Sequence, residues 1–252
     1  MSESDEKINQ ITIQSLDEFV TKIAKDRNIF FRGVSNKDYK LIPSIGREKK
    51  IEITSLLRIE KGMLKQFKSR AIPFLNYHPK DDWEWLMLGQ HHGMPTRLLD
   101  WTTNPLTALY FACLGGTNSD GAVFSLPSFT TLDFELSPDP FSIKENYMVI
   151  PPHISPRIAA QSSWFSVSND PLVPIEGTKE KPITKYVVNA KRKIGILSML
   201  VMRFNNGPSS LFPGLDGLCE QIALETTTFK HIASRINETL EIAKLIVQMN
   251  KK

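Results

Sequence analysis

The chain has 252 residues and a hydrophobic fraction of 41%, which is ordinary for a globular protein. This length allows one large domain or two small ones. A formal net charge of +4 and a pI of about 8.9 are too weakly basic to indicate a nucleic-acid-binding protein by themselves. Because the sequence has no apolar run of about 18 residues and a polar N-terminus without signal-peptide character, we expect a cytoplasmic protein with no membrane partner.

The N-terminal part of the chain predicts a short strand followed by a helix. Ile11 and Ile13 alternate with polar residues within residues 1–14, which is the period of a strand. Ser15, with Glu18 three residues later, is typical of the capping box that starts a helix. The next helix is predicted over residues 52–72, where Pro73 stops the helical spacing of apolar residues.

Between these two helices, apolar residues 29–31 lead into Arg32 and Gly33, which predicts the end of a strand. A guanidinium leaving a strand beside a flexible glycine can bind a phosphate or carboxylate in bidentate fashion. The alternative is a salt bridge at the rim of the sheet.

Residues 90–102 concentrate polar side chains in one short segment, QHHGMPTRLLDWT. The preceding residues 81–88 predict a helix with an acidic start, which ends near Gly93 as a left-handed C-cap. Asn104 and Pro105 then provide an N-cap and a first helical residue for another helix. A helix–loop–helix elbow is therefore predicted, in which polar groups need partners from the protein or from a ligand.

The elbow has a structural interpretation beside the functional one. Arg97 and Asp100 can form a buried ion pair, and His91 or His92 can cap the end of the preceding helix. The two adjacent histidines diverge by about 100° on a helix and cannot both face one metal ion. Since no Cys or His pair has zinc spacing, a metal site is not expected.

The second half of the chain is richer in predicted strands. Four are predicted, at residues 122–126, 147–150, 162–168 and 184–190. Helices are predicted at 194–204, after the turn at 211–217, and, with amphipathic character, at 231–252. The run 191–193 (KRK) is interpreted as a solvated strand end, and Cys113 and Cys219 as two buried reduced thiols. We therefore predict a single α+β domain, with a mixed or antiparallel sheet packed against a helical layer, and with most strands in the second half.

Five motifs can be taken together: Phe31-Arg32-Gly33, the spacing Arg157-x-x-x-Gln161-x-x-x-Phe165, and the segments 39–44, 90–112 and 211–218. In combination they resemble the FRG domain family, which is named for its Phe/Tyr-Arg-Gly motif. The resemblance covers about residues 15–230. It implies an N-terminal segment at 1–14, an FRG domain at 15–230 and a C-terminal helix at 231–252. The family is described as bacterial and phage-borne, which implies a role in phage–host conflict.

The order of three motifs also resembles that of ADP-ribosyltransferases, which have an aromatic-Arg-Gly strand, a Ser-rich strand and a catalytic Glu. The candidates here are Arg32, then Ser162 and Ser163, and then Glu220 or Glu225. This resemblance implies an ADP-ribosyltransferase-like fold and NAD as the cofactor. Arg32 would clamp the pyrophosphate, and the glutamate would stabilise an oxocarbenium-like transition state. Glu220 and Glu225 lie in a helical pattern, whereas that family has Glu-x-Glu in a loop or strand.

These hypotheses define the candidate site. The catalytic candidates are Arg32, His92, Arg97, Asp100 and Glu220. The cofactor-binding candidates are Arg32, Thr96, Trp101 (as a stacking wall), Gln161, Ser162 and Ser163. The alternative function is a non-catalytic sensor or adaptor that recognises a nucleotide or a nucleic-acid end. Both functions require Arg32 and Arg97 to share one pocket, and the acceptor or protein partner stays open.

Overall fold

The computed structural model describes residues 8–47, 51–115, 117–127, 130–152, 155–178, 182–226, 229–230 and 237. The strands are β1 (Ile8–Ile13), β2 (Phe30–Val34), β3 (Leu98–Thr102), β4 (Gly121–Leu126), β5 (Tyr147–Val149), β6 (Ser163–Val167) and β7 (Ile183–Val188). The helices are α1 (Leu16–Ile23), α2 (Ile53–Ala71), α3 (Asp82–His91), α4 (Pro105–Cys113), α5 (Pro156–Ala160), α6 (Lys193–Phe204), α7 (Pro208–Leu211) and α8 (residues 215–226). Apart from Asn237, the helix predicted for 231–252 lies outside the described residues.

The strands form one sheet in the order β1-β7-β4-β2-β3-β6-β5. β1 and β7 are parallel, and the other neighbours pair antiparallel. The sheet is therefore mixed, and the predicted α+β class is confirmed. Strands β1 to β4 all end by Leu126, so the prediction that most strands lie in the second half is wrong.

The helices form a layer on one face of the sheet, as predicted. On that face Phe31 and Val123 pack with residues of α1, α4 and α6, while Leu98 and Phe165 pack with residues of α2 and α3. Alternate residues of the same strands, such as Phe30, point to the opposite face. Loop residues Leu41 and Ile175 cover part of that second face. No helix in the described ranges is long and apolar enough to cross a membrane.

Helices α1 and α4 begin at the caps that the sequence predicts. The Ser15 hydroxyl accepts a hydrogen bond from the Glu18 N–H at 3.3 Å, and the Glu18 carboxylate accepts one from the Gln14 N–H at 2.9 Å. The Asn104 side chain accepts from the Leu106 N–H at 3.0 Å, with Pro105 as the first residue of α4. Each cap satisfies a backbone donor that has no partner inside its helix.

The segment 90–102 contains a strand, which corrects the predicted helix–loop–helix elbow. Helix α3 ends at His91, Gly93 has a φ of +85°, and β3 begins at Leu98. β3 pairs with β6 over five residues, so the segment from Leu98 is part of the sheet and not a loop. The left-handed glycine after α3 agrees with the prediction.

Two predictions about buried groups are corrected. Lys193, in the run interpreted as solvated, is fully buried, and its ammonium donates to the carbonyls of Ser35 at 2.6 Å and Leu114 at 3.4 Å. Burial lowers the pKa of Lys193. Both cysteines are free thiols, but Cys219 is exposed, so only Cys113 is buried as predicted.

Candidate functional site

A cleft opens where strands β2 and β3 diverge. These strands pair only at Phe31 and Thr102, whereas β2 with β4 and β3 with β6 each pair over five residues. Near the divergence, the Arg32 guanidinium donates to the Asp100 carbonyl at 2.7 Å. A side chain thus crosses the gap where the backbone ladder is interrupted.

The cleft has a volume of about 220 Å³ and is bounded by β2, β3, β6 and residues of α3, α4 and α5. Its charged and titratable lining residues are Arg32, His91, Asp100 and Arg157. Phe111 and Phe165 contribute aromatic surface. A concave site with a few converging polar groups is the usual form of a small-molecule binding site.

Asp100 is the carboxylate of the cleft. Its side chain is 55% exposed, and one oxygen accepts from Arg32 Nη1 at 3.4 Å. Gln90 Nε2 donates to both carboxylate oxygens, at 3.2 and 3.1 Å, and Gln90 Oε1 accepts from the buried Thr96 hydroxyl at 2.7 Å. Two side chains therefore hold the Asp100 carboxylate in place while it stays open to solvent and ligand.

His91, and not the predicted His92, lines the cleft. His91 is the last residue of α3, and His92 is the C-cap and is exposed. Burial, helped by the nearby charges of Arg157 and His92, lowers the pKa of His91 to about 4. At neutral pH, His91 is therefore an uncharged donor or acceptor in the cleft wall.

We expect His91→Gln to make the stability of the folded protein depend less on pH in the acidic range. The cleft favours neutral His91, whereas the unfolded chain takes up the proton near the ordinary pKa of 6.5. Because the unfolded state then binds more protons than the folded state, the free energy of unfolding decreases as the pH falls from about 6.5 toward about 4. Thermal unfolding midpoints over that range should fall less steeply in His91→Gln than in the wild type. A His91→Gln profile that follows the wild-type profile would contradict this account.

Arg97 does not line the cleft, so the expectation that it shares a pocket with Arg32 is wrong. Its side chain is 2% exposed and donates to both carboxylate oxygens of Glu60, at 3.1 and 2.5 Å. A third bond, at 3.3 Å, goes to the Pro140 carbonyl. Arg97 does form a buried ion pair, but its partner is Glu60 from α2 and not Asp100.

Two of the predicted cofactor-binding residues, Thr96 and Trp101, are buried. Thr96 is 1% exposed, and its hydroxyl is used by Gln90 and by the Leu98 N–H. Trp101 borders the cleft but is 2% exposed, and its indole N–H donates to the Ser166 hydroxyl at 2.8 Å. The indole is therefore held in the core beside the cleft, and the role of Trp101 as a stacking wall stays a prediction.

The entry to β6 brings two of three predicted residues to the cleft. Gln161 and Ser163 line it, whereas Ser162 does not and has a φ of +48° in the turn before β6. The Gln161 side-chain amide donates to the Leu211 carbonyl at 3.0 Å, and the backbone carbonyl of Gln161 accepts from the Thr102 hydroxyl at 2.6 Å. Gln161 therefore joins α5 to α7 and to the end of β3.

The predicted catalytic glutamates lie outside the cleft. Glu220 is exposed on α8, and Glu225, on the same helix, accepts from Gln221 at 2.7 Å. Neither residue lines the cleft, and both are helical, as their sequence pattern indicated. Glu220 and Glu225 therefore do not share the cleft with Asp100, which is the carboxylate that lines it within the described residues.

The sequence analysis missed Arg157 as a site residue. Arg157 lies on α5 and lines the cleft, and its guanidinium is 4.5 Å from the ring centroid of Phe212. Burial lowers the pKa of Arg157, and the charges of Asp100 and Glu220 oppose that shift. The available signal was the spacing of Arg157 and Gln161, which places both on one side of a helix.

Part of the chain matches a known protein family. The FRG domain family model matches residues 27–121. The chain contains an FRG domain. The matched residues include β2, α3, β3 and α4, so the FRG domain supplies Arg32, Gln90, His91 and Asp100 to the cleft. Searches of the curated proteins and of the solved structures each found no match.

The FRG match does not cover the whole cleft. Arg157 and Gln161 lie beyond residue 121, and the predicted outer boundaries at 15 and 230 stay predictions.

In the part of the chain that the structure describes, no group of three or more His, Cys, Asp or Glu side chains is placed to hold a metal ion.

Proposed function

We propose that the FRG-domain cleft is the active site of an enzyme that acts on a nucleotide, with NAD as its substrate. The observation that supports this proposal is the Asp100 carboxylate, which Arg32 and Gln90 hold at the cleft wall while it stays 55% exposed. A preorganised negative charge of this kind stabilises positive charge that develops in a transition state.

The proposed reaction breaks the bond between the nicotinamide nitrogen and the ribose carbon of NAD. The bonding electron pair leaves with nicotinamide, and the ribose carbon becomes oxocarbenium-like beside Asp100. Water or an acceptor nucleophile then bonds to that carbon and loses a proton to solvent. Asp100 takes the role that the ADP-ribosyltransferase resemblance gave to Glu220, and Arg32 acts as a positioning residue through its bonds to Asp100.

Asp100→Asn is expected to lower the rate of nicotinamide release by about 100- to 1000-fold, because the amide carries no charge to oppose the developing cation. Purified protein would be incubated with NAD, alone and with a cell extract that supplies acceptors, and nicotinamide would be measured by mass spectrometry. Glu220→Gln is the matched control and should retain the wild-type rate, since Glu220 lies outside the cleft. Wild-type protein that releases no nicotinamide under either condition would refute the enzyme proposal.

A non-catalytic nucleotide sensor is the second candidate. It is favoured by the set of titratable groups: His91, with its pKa of about 4, is neutral, and within the described residues Asp100 is the sole carboxylate that lines the cleft. The cleft therefore lacks a second carboxylate that could complete an acid–base pair. Binding of intact NAD without any product would support the sensor.

The FRG resemblance supports a role for either function in phage–host conflict. An enzyme that consumes NAD, or that modifies a target with ADP-ribose, would act against an infected cell's metabolism. A sensor would instead report a nucleotide that changes in concentration during infection.

A further inference from the structure

We infer that Arg157 and the ring of Phe212 form an anion subsite of the cleft, which takes the phosphate of a nucleotide ligand. This inference rests on the proposed function for the nature of the ligand, but the geometry of the subsite stands on its own contacts. Arg157 lines the cleft, and its guanidinium lies 4.5 Å from the Phe212 ring centroid.

The first argument is that the Arg157 guanidinium has unused donors. Among the described residues, it makes no side-chain hydrogen bond and no ion pair. The two other arginines discussed above are both paired: Arg32 with Asp100, and Arg97 with Glu60. A partly buried guanidinium without a carboxylate partner loses hydration without a compensating bond, and an anionic ligand supplies that bond.

The second argument is that the Arg157 guanidinium is held in place. Ser155 caps the start of α5 by accepting from the Ile158 N–H at 3.4 Å. At the other end of α5, the Gln161 side chain donates to the Leu211 carbonyl, immediately before Phe212. The helix that carries Arg157 and the ring beneath it are therefore joined. A preorganised binding group loses less entropy when a ligand arrives.

The third argument concerns the chemical class of the ligand. A guanidinium presents a planar fork of N–H donors that matches two oxygens of one phosphate. The carboxylate of Asp100 also lines the cleft, so the site offers both a cationic and an anionic group. A nucleotide has both complements, namely a phosphate and a ribose whose hydroxyls donate to a carboxylate. Among anions, a phosphate ester attached to a sugar fits this combination better than a simple carboxylic acid.

The test compares ADP with adenosine by calorimetry on the full chain, because the two ligands differ only in the diphosphate. Arg157→Gln should weaken ADP binding by about 10- to 100-fold and leave adenosine binding unchanged. Arg157→Lys keeps the charge but loses the planar fork, and it should give an intermediate loss for ADP. Arg203→Gln removes an exposed arginine from α6 and is the matched control for net charge; it should bind ADP as the wild type does.

Three results would overturn the subsite: wild-type protein that does not bind ADP, Arg157 variants that bind ADP normally, or an equal loss of ADP and adenosine binding. Nicotinamide release from NAD, measured in parallel, separates this inference from the proposed function. Arg157-dependent ADP binding in a protein that releases no nicotinamide would refute the enzyme and keep the subsite. Nicotinamide release with the same KM for NAD in the wild type and in Arg157→Gln would keep the enzyme and refute the subsite.

Discussion

Replacing Arg97 with methionine is expected to lower the free energy of unfolding by about 3–5 kcal/mol, because it leaves the Glu60 carboxylate buried without its partner. Both side chains are 2% exposed, and Arg97 donates to each of the two Glu60 oxygens. The variant also loses the bond to the Pro140 carbonyl. Urea unfolding, followed by circular dichroism, measures the change directly.

Two further variants test the mechanism of this loss. In the double variant Arg97→Met with Glu60→Met, no buried charge is left unpaired, so most of the stability should return. Lys37→Met breaks the more exposed pair with Asp120 and should cost about 1 kcal/mol or less. An Arg97→Met protein within about 1 kcal/mol of the wild type, or a double variant no more stable than the single one, would contradict the role of this pair.

The elements that the sequence predicted well have signals close in sequence. Ser15 and Asn104 cap their helices through residues two or three positions away, and α2 follows its helical apolar spacing. Strand β3 has no such signal. Leu98, Leu99 and Trp101 are all buried because both faces of the sheet are covered there, so the strand shows no alternation of apolar and polar residues.

Buried charges were the least predictable part of the fold. Glutamate and lysine residues usually lie on the solvated surface, and the partners of the buried Glu60 and Lys193 are distant in the sequence. Glu60 is paired with Arg97, which lies immediately before β3, and the Lys193 ammonium is satisfied by the carbonyls of Ser35 and Leu114. Because these bonds are made only when distant segments meet, no local pattern could have identified them.

The candidate site was predictable only in part, because some of its residues come together only when distant segments meet. Arg32 and Asp100 stand in sequence motifs, and the structure brings them into contact. The choice between His91 and His92 depends on where α3 ends, and helix ends are uncertain by one or two residues in a sequence. Arg157 lies on α5, which packs against the distant helix α7, and this tertiary contact has no local signal in the sequence.

Gly33→Ala is expected to lower the free energy of unfolding by at least about 3 kcal/mol, at the upper end of what overpacking costs. A Cβ atom at Gly33 would lie 1.8 Å from the Ala108 carbonyl oxygen and 2.7 Å from the Ala112 nitrogen. Both atoms belong to the backbone of α4, so the clash is relieved only if the helix moves away from β2. That movement would also displace Phe111, which lines the cleft from α4, and should weaken ligand binding.

Gly195→Ala is the matched control for this substitution. Gly195 lies inside α6, and a Cβ atom added there meets nothing within 4 Å. Alanine restricts the unfolded chain and suits a helix better, so this variant should be stabilised by about 0.5–1 kcal/mol. Urea unfolding of both variants gives the comparison. A Gly33→Ala protein as stable as the wild type would show that α4 does not pack directly on β2, and the cleft wall formed by α4 would then have to lie elsewhere.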